Sequence, residues 1–594
     1  MSIPALARIG LRRHPVRPEP TPAPYAESRR TRRLARVGLV VVLAVFGARA
    51  MDMARSISIA GDEETHLTHC LHYWMTGDDM AMWELGAPRL PHVLYAFPSY
   101  LALRQANLLP DQADPIAIEE VVLSGAKRVV IPARVLAVAW GLALLLATYV
   151  AVARVHGAVP ALIAAGLLSL VPEVIAHSAI AGSDVPFTAS AFLALILLAR
   201  FVEQPSPGRW VAVGLAIGLA WAMRHSALLL LMLAGVVHLW VNLRRPRPAT
   251  LAILAERLVG SIVAGVGLMA IAAMVLWAGD GFGTISLVEL SEHATTLNVP
   301  ERIGPVDVSR WPIPTSVLSV LKQVRHQNQG HEAYFCGEYR EQGWPLYFPV
   351  AFLLKTPIGL LILMIAAAVR VRPKGALDGI CMAFLAVLWI MLVRNKVNIG
   401  VRYALLTYPL VMPFLVQLFE RRTLRDWVWG PIVVASVAWF AWASFSCHPR
   451  YLSYFNEVGG GPSQGWLYLA DSNLDWGQDF DTLAPTLHRL GINEVTTDLS
   501  TERRLDVPGL LAVVHPNRTR IVPAVTPPSR RLYDDDGGYL PIYTRYVAIS
   551  VSRLHGLYSQ NDMSWLRTRK LVTRIGDSTF VFDMDTPADP PFFR

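Results

Sequence analysis

The stretch PARVLAVAWGLALLLATYVAVA, residues 132–153, contains one charged side chain, that of Arg134. A helix of about 20 apolar residues is long enough to cross the hydrocarbon core of a bilayer. The stretch therefore predicts a transmembrane helix. Similar apolar blocks recur between residues 38 and 446, and we expect about eleven membrane-spanning helices in all.

The composition of the whole chain agrees with this prediction. Of 594 residues, 53% are hydrophobic and only 17% are charged, whereas soluble proteins carry about 25% charged residues. The mean hydropathy is +0.38. The net charge of +9 comes from basic residues clustered between apolar blocks, which is typical of membrane topology signals. We therefore predict membrane lipids, and no nucleic acid, as partners.

The loops differ in charge, and this difference predicts their sidedness. The segments NLRRPRPATLAILAER, RVRPKG and ERRTLRDW are basic, whereas the longer loops are acidic and aromatic. The positive-inside rule then places a basic tail, residues 1–37, in the cytoplasm. Outer loops 56–131 and 279–345 belong to a transmembrane domain, residues 38–446. The predicted location is the inner (plasma) membrane, crossed several times.

The region from residue 447 has a different pattern. It contains the turn DDDGG and short alternating runs, RYVAISVSRL and STFVFDMD, which are typical of strands. Residues 447–594 are thus predicted to form a small α/β extracytoplasmic domain. The four cysteines do not indicate a disulfide framework or a zinc site, and one disulfide on the outer side is left open.

Titratable residues follow the first predicted helix in GDEETHLTH, residues 61–69. One interpretation is a solvated helix start, since acids favour the first turn of a helix. A second is a metal site at His66 and His69, but the zinc motif H-E-x-x-H is absent. A third is an active site, because ionisable groups at membrane depth are usually functional. Asp184 lies at a second rim on the same predicted side, which favours the third.

Several segments resemble, in order, the GT-C glycosyltransferases, in particular protein O-mannosyltransferases and bacterial lipid A aminoarabinose transferases. The family's first outer loop opens with Asp-Glu, here Asp62-Glu63, and continues with Gly-Asp, here Gly77-Asp78. The segment APRLP departs from its Pro-Pro-Leu. Further similar segments are SAIAGSD, WAMRHSALLLL with arginine where the family usually has lysine, FLLKTPIG, NIGVRYALLTYPL, and YLSYFNEVGGGPSQGWLYLADSNLDWGQDF.

This resemblance implies an inverting transfer of a sugar from a polyprenyl-phosphate donor to a protein, lipid or glycan acceptor on the outer face. It implies a GT-C fold with the active site on the extracytoplasmic side. The catalytic residues would be Asp62, Glu63 and Asp184, with Asp62 as the base. The donor phosphate would be bound by Arg402, Arg224, Lys355 and Arg89. Further substrate-binding residues would be His66, Tyr403 and Asp475.

A carboxylate suits the role of base because the acceptor must lose its proton as it attacks the anomeric carbon. Guanidinium groups suit the lipid phosphate because they bind phosphate oxygens in pairs. No metal ligands and no certain cofactor are predicted, and a divalent metal is left open. DSNLDWGQD resembles a calcium loop, but its glycine falls one place late and its twelfth position is Thr482.

Two other functions are compatible with a polytopic protein. A transporter or flippase of lipid-linked sugars would use intramembrane charges along a substrate path. It is disfavoured because the acids cluster in a long outer loop and no inverted repeat is evident. A membrane anchor for a binding module would need far fewer than about eleven spans.

Overall fold

The computed structural model describes residues 27–78, 86–244, 250–288, 302–303, 306–499, 511–514, 530–533, 539–542, 544–558 and 563–588. Most of the predicted tail 1–37, part of the predicted loop 279–345, and the turn DDDGG lie outside these ranges. The helices are α1 Arg29–Ser56, α2 Glu63–Thr76, α3 Leu90–Gln105, α4 Pro115–Ser124, α5 Ala126–His156, α6 Ala158–Ser169, α7 Pro172–Ser178, α8 Asp184–Glu203, α9 Pro207–Met223, α10 Leu228–Leu243, α11 Leu251–Gly279, α12 Thr315–Gln329, α13 Tyr347–Lys355, α14 Ile358–Arg370, α15 Ala376–Arg394, α16 Thr407–Leu415, α17 Arg421–Leu424, α18 Trp429–Ser446, α19 Phe480–Arg489 and α20 Val551–Leu554.

Seven helices in the described part of the chain are long and apolar enough to cross a membrane. Two bent helix pairs pass the same test together, which gives up to nine spans. Two shorter apolar segments, Pro207–Met223 and Thr407–Phe419, complete the set. The prediction of a polytopic α-helical membrane protein is confirmed, and the predicted spans correspond to these long, bent and short segments.

The outward face of the bundle is apolar. On α11 the exposed side chains include Val259, Ile262, Val263 and Val266, which would be unfavourable in water. Inside the bundle, one buried cation shows how a polar group is satisfied by protein partners. The buried Arg49 of α1 donates hydrogen bonds to the Tyr451 hydroxyl, at 2.8 Å, and to the Ser444 backbone carbonyl, at 2.6 Å. Such pairing is required because lipid cannot satisfy polar groups.

Both bent pairs break at proline, which cannot continue a helix hydrogen-bond ladder. The chain bends by 72° between α6 and α7, and by 115° between α13 and α14. The two breaks bring together Glu173, at the start of α7, and Lys355, at the end of α13. Their side chains form a fully buried ion pair, Nζ to Oε1, at 2.8 Å.

The C-terminal region contains a five-stranded mixed sheet in the order β12 (Arg569–Ile575), β13 (Thr579–Pro587), β11 (Tyr546–Ser550), β7 (Glu494–Asp498) and β8 (Leu511–Val514). Strand β11 pairs parallel with β7 and antiparallel with β13. Helix α19 packs on the sheet through Leu483 and Leu487. The predicted small C-terminal α/β region is therefore confirmed. The strands of the chain are β1 Thr284–Ser286, β2 Arg302–Ile303, β3 Val306–Asp307, β4 Pro312–Pro314, β5 Ala333–Phe335, β6 Glu338–Arg340, β7 Glu494–Asp498, β8 Leu511–Val514, β9 Arg530–Tyr533, β10 Tyr539–Ile542, β11 Tyr546–Ser550, β12 Arg569–Ile575 and β13 Thr579–Pro587.

The segment that precedes this sheet is joined to the end of α1. The Ser58 backbone N–H donates to the Gln478 carbonyl at 2.9 Å, and the Ser58 hydroxyl accepts from the Asp481 N–H at 2.7 Å. These bonds place the turn between α1 and α2 directly beneath the C-terminal region. The exact domain boundary near residue 447 stays a prediction.

Candidate active site

Asp62 and Glu63 are adjacent in sequence but have opposite environments. Asp62 precedes α2 and its side chain is 61% exposed. Glu63 is buried and forms an ion pair with Arg134 of α5, Nη2 to Oε2, at 2.6 Å. Arg134 also donates to the backbone carbonyls of Ala54, Ile57 and Ser58. Glu63 and Arg134 therefore fix the turn between α1 and α2, and Asp62 alone of the acidic pair is presented to solvent.

Asp184 lies between two arginines that are far apart in sequence. It begins α8, is 4% exposed, and accepts a hydrogen bond from Arg224 at the end of α9. Arg402 lies 3.7 Å from the other oxygen of Asp184 and 4.0 Å from Asp62. The structure thus brings four predicted site residues into one charged cluster.

Aromatic rings hold the two guanidinium groups of this cluster. The ring of Tyr403 lies 4.3 Å from the Arg224 guanidinium and 5.9 Å from that of Arg402. The indole of Trp476 lies 4.6 Å from the Arg402 guanidinium. Cation–π contact of this kind orients a guanidinium without neutralising it, so both groups keep charge that a ligand anion can use.

The motif DSNLDWGQD, residues 471–479, supports the backbone around Arg402. Arg402 lies in a short 3-10 helix, Val401–Ala404. The first N–H of this helix, that of Val401, donates to the Asn473 side-chain oxygen at 2.9 Å. Asn473 also donates from its amide to the Tyr347 hydroxyl at 2.8 Å. The motif therefore links the backbone beside Arg402 to α13 through hydrogen bonds, and it leads into the C-terminal region.

The remaining acidic residues of the motif bind protein groups. Asp475 lines the cavity and accepts from the Ser552 N–H at 2.8 Å. Asp471 accepts a hydrogen bond from the Tyr558 hydroxyl, and both residues have positive φ, 54° and 65°. Left-handed backbone at non-glycine residues is unfavourable and often marks functional sites. Burial raises the pKa of Asp471, although the Tyr558 hydrogen bond and Arg402 lower it.

Two predicted phosphate-binding residues lie outside the cavity lining. Lys355 is fully buried in its pair with Glu173 and donates to two backbone carbonyls, those of Leu452 and Asn473, at 2.6 Å each. Arg89 places its guanidinium 4.1 Å from the ring of Tyr73. The ion pair and the two carbonyl contacts of Lys355 give no support to its predicted phosphate-binding role. The phosphate-binding role of Arg89 stays a prediction.

Two histidine rings stack in the wall of the cavity. One of them, His66, lies one helical turn after Asp62. The rings of His66 on α2 and His92 on α3 have centroids 3.6 Å apart. Burial lowers the pKa of His66, although Asp62 acts in the opposite direction. Burial, with a smaller contribution from His66, holds the pKa of His92 well below the usual histidine value. Burial therefore disfavours the charged form of both imidazoles.

Most of these groups line one cavity of about 1200 Å³, but Glu63, Arg89, Asp184 and Lys355 are not part of its lining. Its polar part contains Asp62, His66, His92, Arg224, Arg402 and Asp471. Part of the remaining lining is apolar and is formed by α10 and α15, through Leu228, Leu229, Phe384, Leu388 and Met391, whereas α12 contributes polar side chains such as Lys322 and His326. One cavity thus joins a charged cluster to an apolar wall built from two membrane-spanning helices.

The cysteines and metal-ligating side chains add no further site. Cys70, Cys336, Cys381 and Cys447 form no disulfide in the part of the chain that the structure describes. Within the described ranges, no group of three or more His, Cys, Asp and Glu side chains is placed to hold a metal ion. Asp471, Asn473 and Asp475, which resembled a calcium loop, are each hydrogen-bonded to protein groups.

Sequence reasoning did not identify His92, Trp476 or Tyr558 as site residues. Trp476 lay inside a quoted motif, so its aromatic ring beside two acids was a usable signal. His92 follows the APRLP segment without any distinctive spacing. Tyr558 comes from the end of the C-terminal region, and no local pattern could have indicated its contact with Asp471.

Comparison with known proteins supports the resemblance described above. Residues 123–277 match the family model for dolichyl-phosphate-mannose-protein mannosyltransferases. This segment includes α5 to α10, and with them Asp184 and Arg224. The similarity to GT-C glycosyltransferases of the protein O-mannosyltransferase type is therefore confirmed for this part of the chain. A search among curated proteins found no match.

Solved structures of two membrane proteins are similar over most of the chain. ArnT from Cupriavidus metallidurans bound to undecaprenyl phosphate is 14% identical, with a TM-score of 0.44 over 92% of this chain and 97% of that one. AglB, an oligosaccharyltransferase from Archaeoglobus fulgidus in complex with an inhibitory peptide and a dolichol-phosphate, is 11% identical, with a TM-score of 0.41. That match covers 93% of this chain and 74% of that one.

Proposed function

We propose that this protein is an inverting membrane glycosyltransferase. It transfers a sugar from a polyprenyl phosphate to a hydroxyl acceptor at the extracytoplasmic face. The observation that carries the proposal is one cavity in which an exposed carboxylate, Asp62, lies beside two guanidinium groups, Arg224 and Arg402. The match of residues 123–277 to a family of dolichyl-phosphate-mannose-dependent enzymes supports the choice of a lipid-phosphate donor.

The apolar wall of the cavity suits the lipid part of such a donor. Leu228 and Leu229 lie on a helix that is long and apolar enough to span the membrane, and so do Leu388 and Met391. A polyprenyl chain that leaves the bilayer along this wall would place its phosphate at the charged cluster. A water-soluble nucleotide sugar would make no use of the wall.

The two guanidinium groups suit the charge that develops on the leaving phosphate. In the donor, phosphate is a diester with one negative charge. When the bond from the anomeric carbon to the phosphate oxygen breaks, the electron pair stays on that oxygen, and a second negative charge develops on the leaving monoester. Preorganised cations that meet developing charge lower the activation barrier. Arg402 and Arg224 are proposed to supply this stabilisation.

Asp62 is proposed to be the general base. The acceptor oxygen attacks the anomeric carbon from the face opposite the phosphate, and its proton passes to the Asp62 carboxylate. A positioned base contributes about 10²–10⁴-fold to the rate. Asp62 is suited to this role because its side chain is 61% exposed and open to the cavity.

Asp184 is proposed to position the two arginines rather than to act as a base. Its side chain is only 4% exposed, and its two oxygens are engaged by Arg224 and Arg402. A carboxylate that is paired with two cations is a weaker proton acceptor than one in solvent. Tyr403 and Asp475 line the same cavity and remain candidates for substrate contact.

The reaction can be tested with purified protein in lipid vesicles. Polyprenyl-phosphate hexoses and pentoses, labelled in the lipid, would be supplied with hydroxyl-bearing peptides, membrane lipids or glycans as acceptors. We expect one donor and acceptor pair to release free polyprenyl phosphate. Movement of intact donor between leaflets without cleavage would instead identify a flippase. Failure to cleave any donor would reject the proposal.

The base can be tested with Asp62→Asn, which keeps the shape of the side chain and removes its basicity. We expect transfer to fall about 10²–10⁴-fold, while donor binding is retained. A matched control is Asp52→Asn, because the Asp52 side chain is also 61% exposed and lies 3.0 Å from a nitrogen-bearing partner, His448, but outside the cavity lining. Near-normal turnover in Asp62→Asn would exclude Asp62 as the base.

A further inference from the structure

His92 has a buried side chain with unused hydrogen-bonding capacity. It is 3% exposed, and neither ring nitrogen has a hydrogen-bond partner among the residues that the structure describes. It also contributes to the wall of the cavity that contains Asp62. A buried polar group without a partner is unfavourable. Such a group in a cavity wall therefore points to a ligand that supplies the missing hydrogen bonds.

The position of His92 is fixed by its neighbours. Its backbone N–H donates to the Arg89 carbonyl at 3.2 Å in the first turn of α3. Its ring stacks on that of His66, with an interplanar angle of 32°. The His66 backbone N–H in turn donates to the Asp62 carbonyl at 3.0 Å. The histidine pair is thus rigidly connected to the proposed base.

The chemistry of the pair indicates what it can bind. A neutral imidazole offers one N–H donor and one acceptor nitrogen, and a hydroxyl group has the same two capacities. The phosphate has better partners in Arg224 and Arg402. A sugar whose anomeric carbon lies between Asp62 and these arginines would turn its ring hydroxyls toward the cavity walls.

We propose that His92, stacked on His66, binds one ring hydroxyl of the transferred sugar and so helps to determine which sugar is accepted. The proposal rests on the glycosyltransferase function proposed above. In this role His92 contacts the substrate but takes no part in proton transfer. Arg89 and Tyr73 support the start of α3 and do not enter the subsite.

The test uses the best donor found in the polyprenyl-phosphate panel, together with its monodeoxy analogues. For the native protein, we expect removal of one particular hydroxyl to lower kcat/KM by about 10- to 100-fold, the usual effect of a lost hydrogen bond to a buried partner. In His92→Phe, which keeps the stacked ring and removes both nitrogens, that selective loss should disappear. The losses at the other hydroxyls should stay the same.

Two further variants separate recognition from folding. His92→Gln places an amide near the outer ring nitrogen and should restore part of the discrimination. His72→Phe is the control, because His72 also lies on α2 beyond His66 but outside the cavity lining. It should discriminate among the analogues as the native protein does.

The outcomes separate this proposal from the proposed function. If the native protein cleaves no donor, both are overturned. If it cleaves donor and His92→Phe retains the native pattern of discrimination, the hydroxyl subsite is wrong and the glycosyltransferase function stands. If kcat/KM of His92→Phe falls by the same factor with every donor, the role of His92 is structural, which also overturns the subsite. If His92→Phe does not fold, His92→Gln and His92→Asn are compared with the native protein in the same assay, and native discrimination in both would overturn the subsite.

Discussion

The indole of Trp476 occupies the space that a side chain at residue 61 would need. Gly61 has a φ of 52°, its N–H donates to the Trp476 carbonyl at 2.7 Å, and a Cβ built on it would overlap the indole ring. The same indole packs on Arg402. One aromatic ring therefore sets the distance between the turn that carries Asp62 and the arginine proposed to bind phosphate.

This relationship predicts that Gly61→Ala will be destabilising and will lower turnover. Any non-glycine residue with left-handed backbone costs about 1–2 kcal/mol, and overlap with the indole adds about 1–3 kcal/mol. Thermal unfolding and transfer rate measured on one preparation would show both effects. The control is Gly77→Ala, because Gly77 has a φ of 78° and no atom within 4 Å of its added Cβ. Equal losses in the two variants would contradict the steric role of Trp476.

Replacement of Arg402 should weaken donor binding more than folding. Arg402→Ala removes the cation that faces both Asp184 and Asp62, and we expect donor affinity to fall about 10- to 100-fold, as for a lost charged hydrogen bond. Arg402→Lys should recover only part of it, because an ammonium replaces a planar fork. Titration of each variant with polyprenyl phosphate would measure this. Arg340→Ala, at an exposed pair with Glu338, is the control, and native affinity in Arg402→Ala would disprove the phosphate contact.

Glu63 is expected to contribute to stability rather than to chemistry. Glu63→Gln leaves the buried Arg134 without its counter-charge, a change that typically costs about 3–5 kcal/mol. Turnover per folded molecule should stay close to native. The experiment compares thermal unfolding with the transfer rate of the folded fraction. Native stability combined with lost turnover would restore Glu63 as a catalytic residue.

Lys355 is likewise expected to act through folding. Lys355→Met removes the ammonium group that lies 2.8 Å from the buried Glu173 carboxylate. The variant should be destabilised by about 3–5 kcal/mol. The double variant Lys355→Met with Glu173→Leu should recover much of this loss, because apolar replacement of a buried pair is often neutral. Donor affinity of the folded fraction should not change in either protein. A selective loss of donor affinity in Lys355→Met would show that Lys355 binds the donor phosphate after all.

The sequence predicted those features that depend on local pattern. Long apolar blocks predict helices because the bilayer imposes their length. Asp62 and Asp184 were identified because they are ionisable residues at the ends of predicted membrane helices. The environment of each residue was not predictable in the same way. Glu63 and Lys355 have the residue types of an active site, yet their partners, Arg134 and Glu173, are 71 and 182 positions away and were not predicted. His92 and Tyr558 likewise depend on how helices and loops pack.

The C-terminal region offers a prediction about pH. Burial raises the pKa of Asp479 to about 6, although its hydrogen bond from the Ser578 hydroxyl, at 2.9 Å, acts in the opposite direction. In the unfolded chain an aspartate titrates near about 3.9. Between these values the folded protein binds more protons than the unfolded one, so the free energy of unfolding falls as pH rises from about 4 to 6 and stays lower above. The full effect is roughly 3 kcal/mol.

Asp479→Asn should remove this dependence, because an amide does not titrate and still accepts from Ser578. Unfolding of the native protein and the variant would be compared between pH 5 and pH 7. The difference between them reports the titration of Asp479 together with its electrostatic coupling to Asp577, whose pKa burial also raises. Asp583→Asn is the control, because hydrogen bonding from Arg545 lowers the pKa of Asp583 to about 2. Its stabilising effect is complete above about pH 4 and constant in the measured range. A native pH dependence that persists in Asp479→Asn would show that Asp479 is not its source.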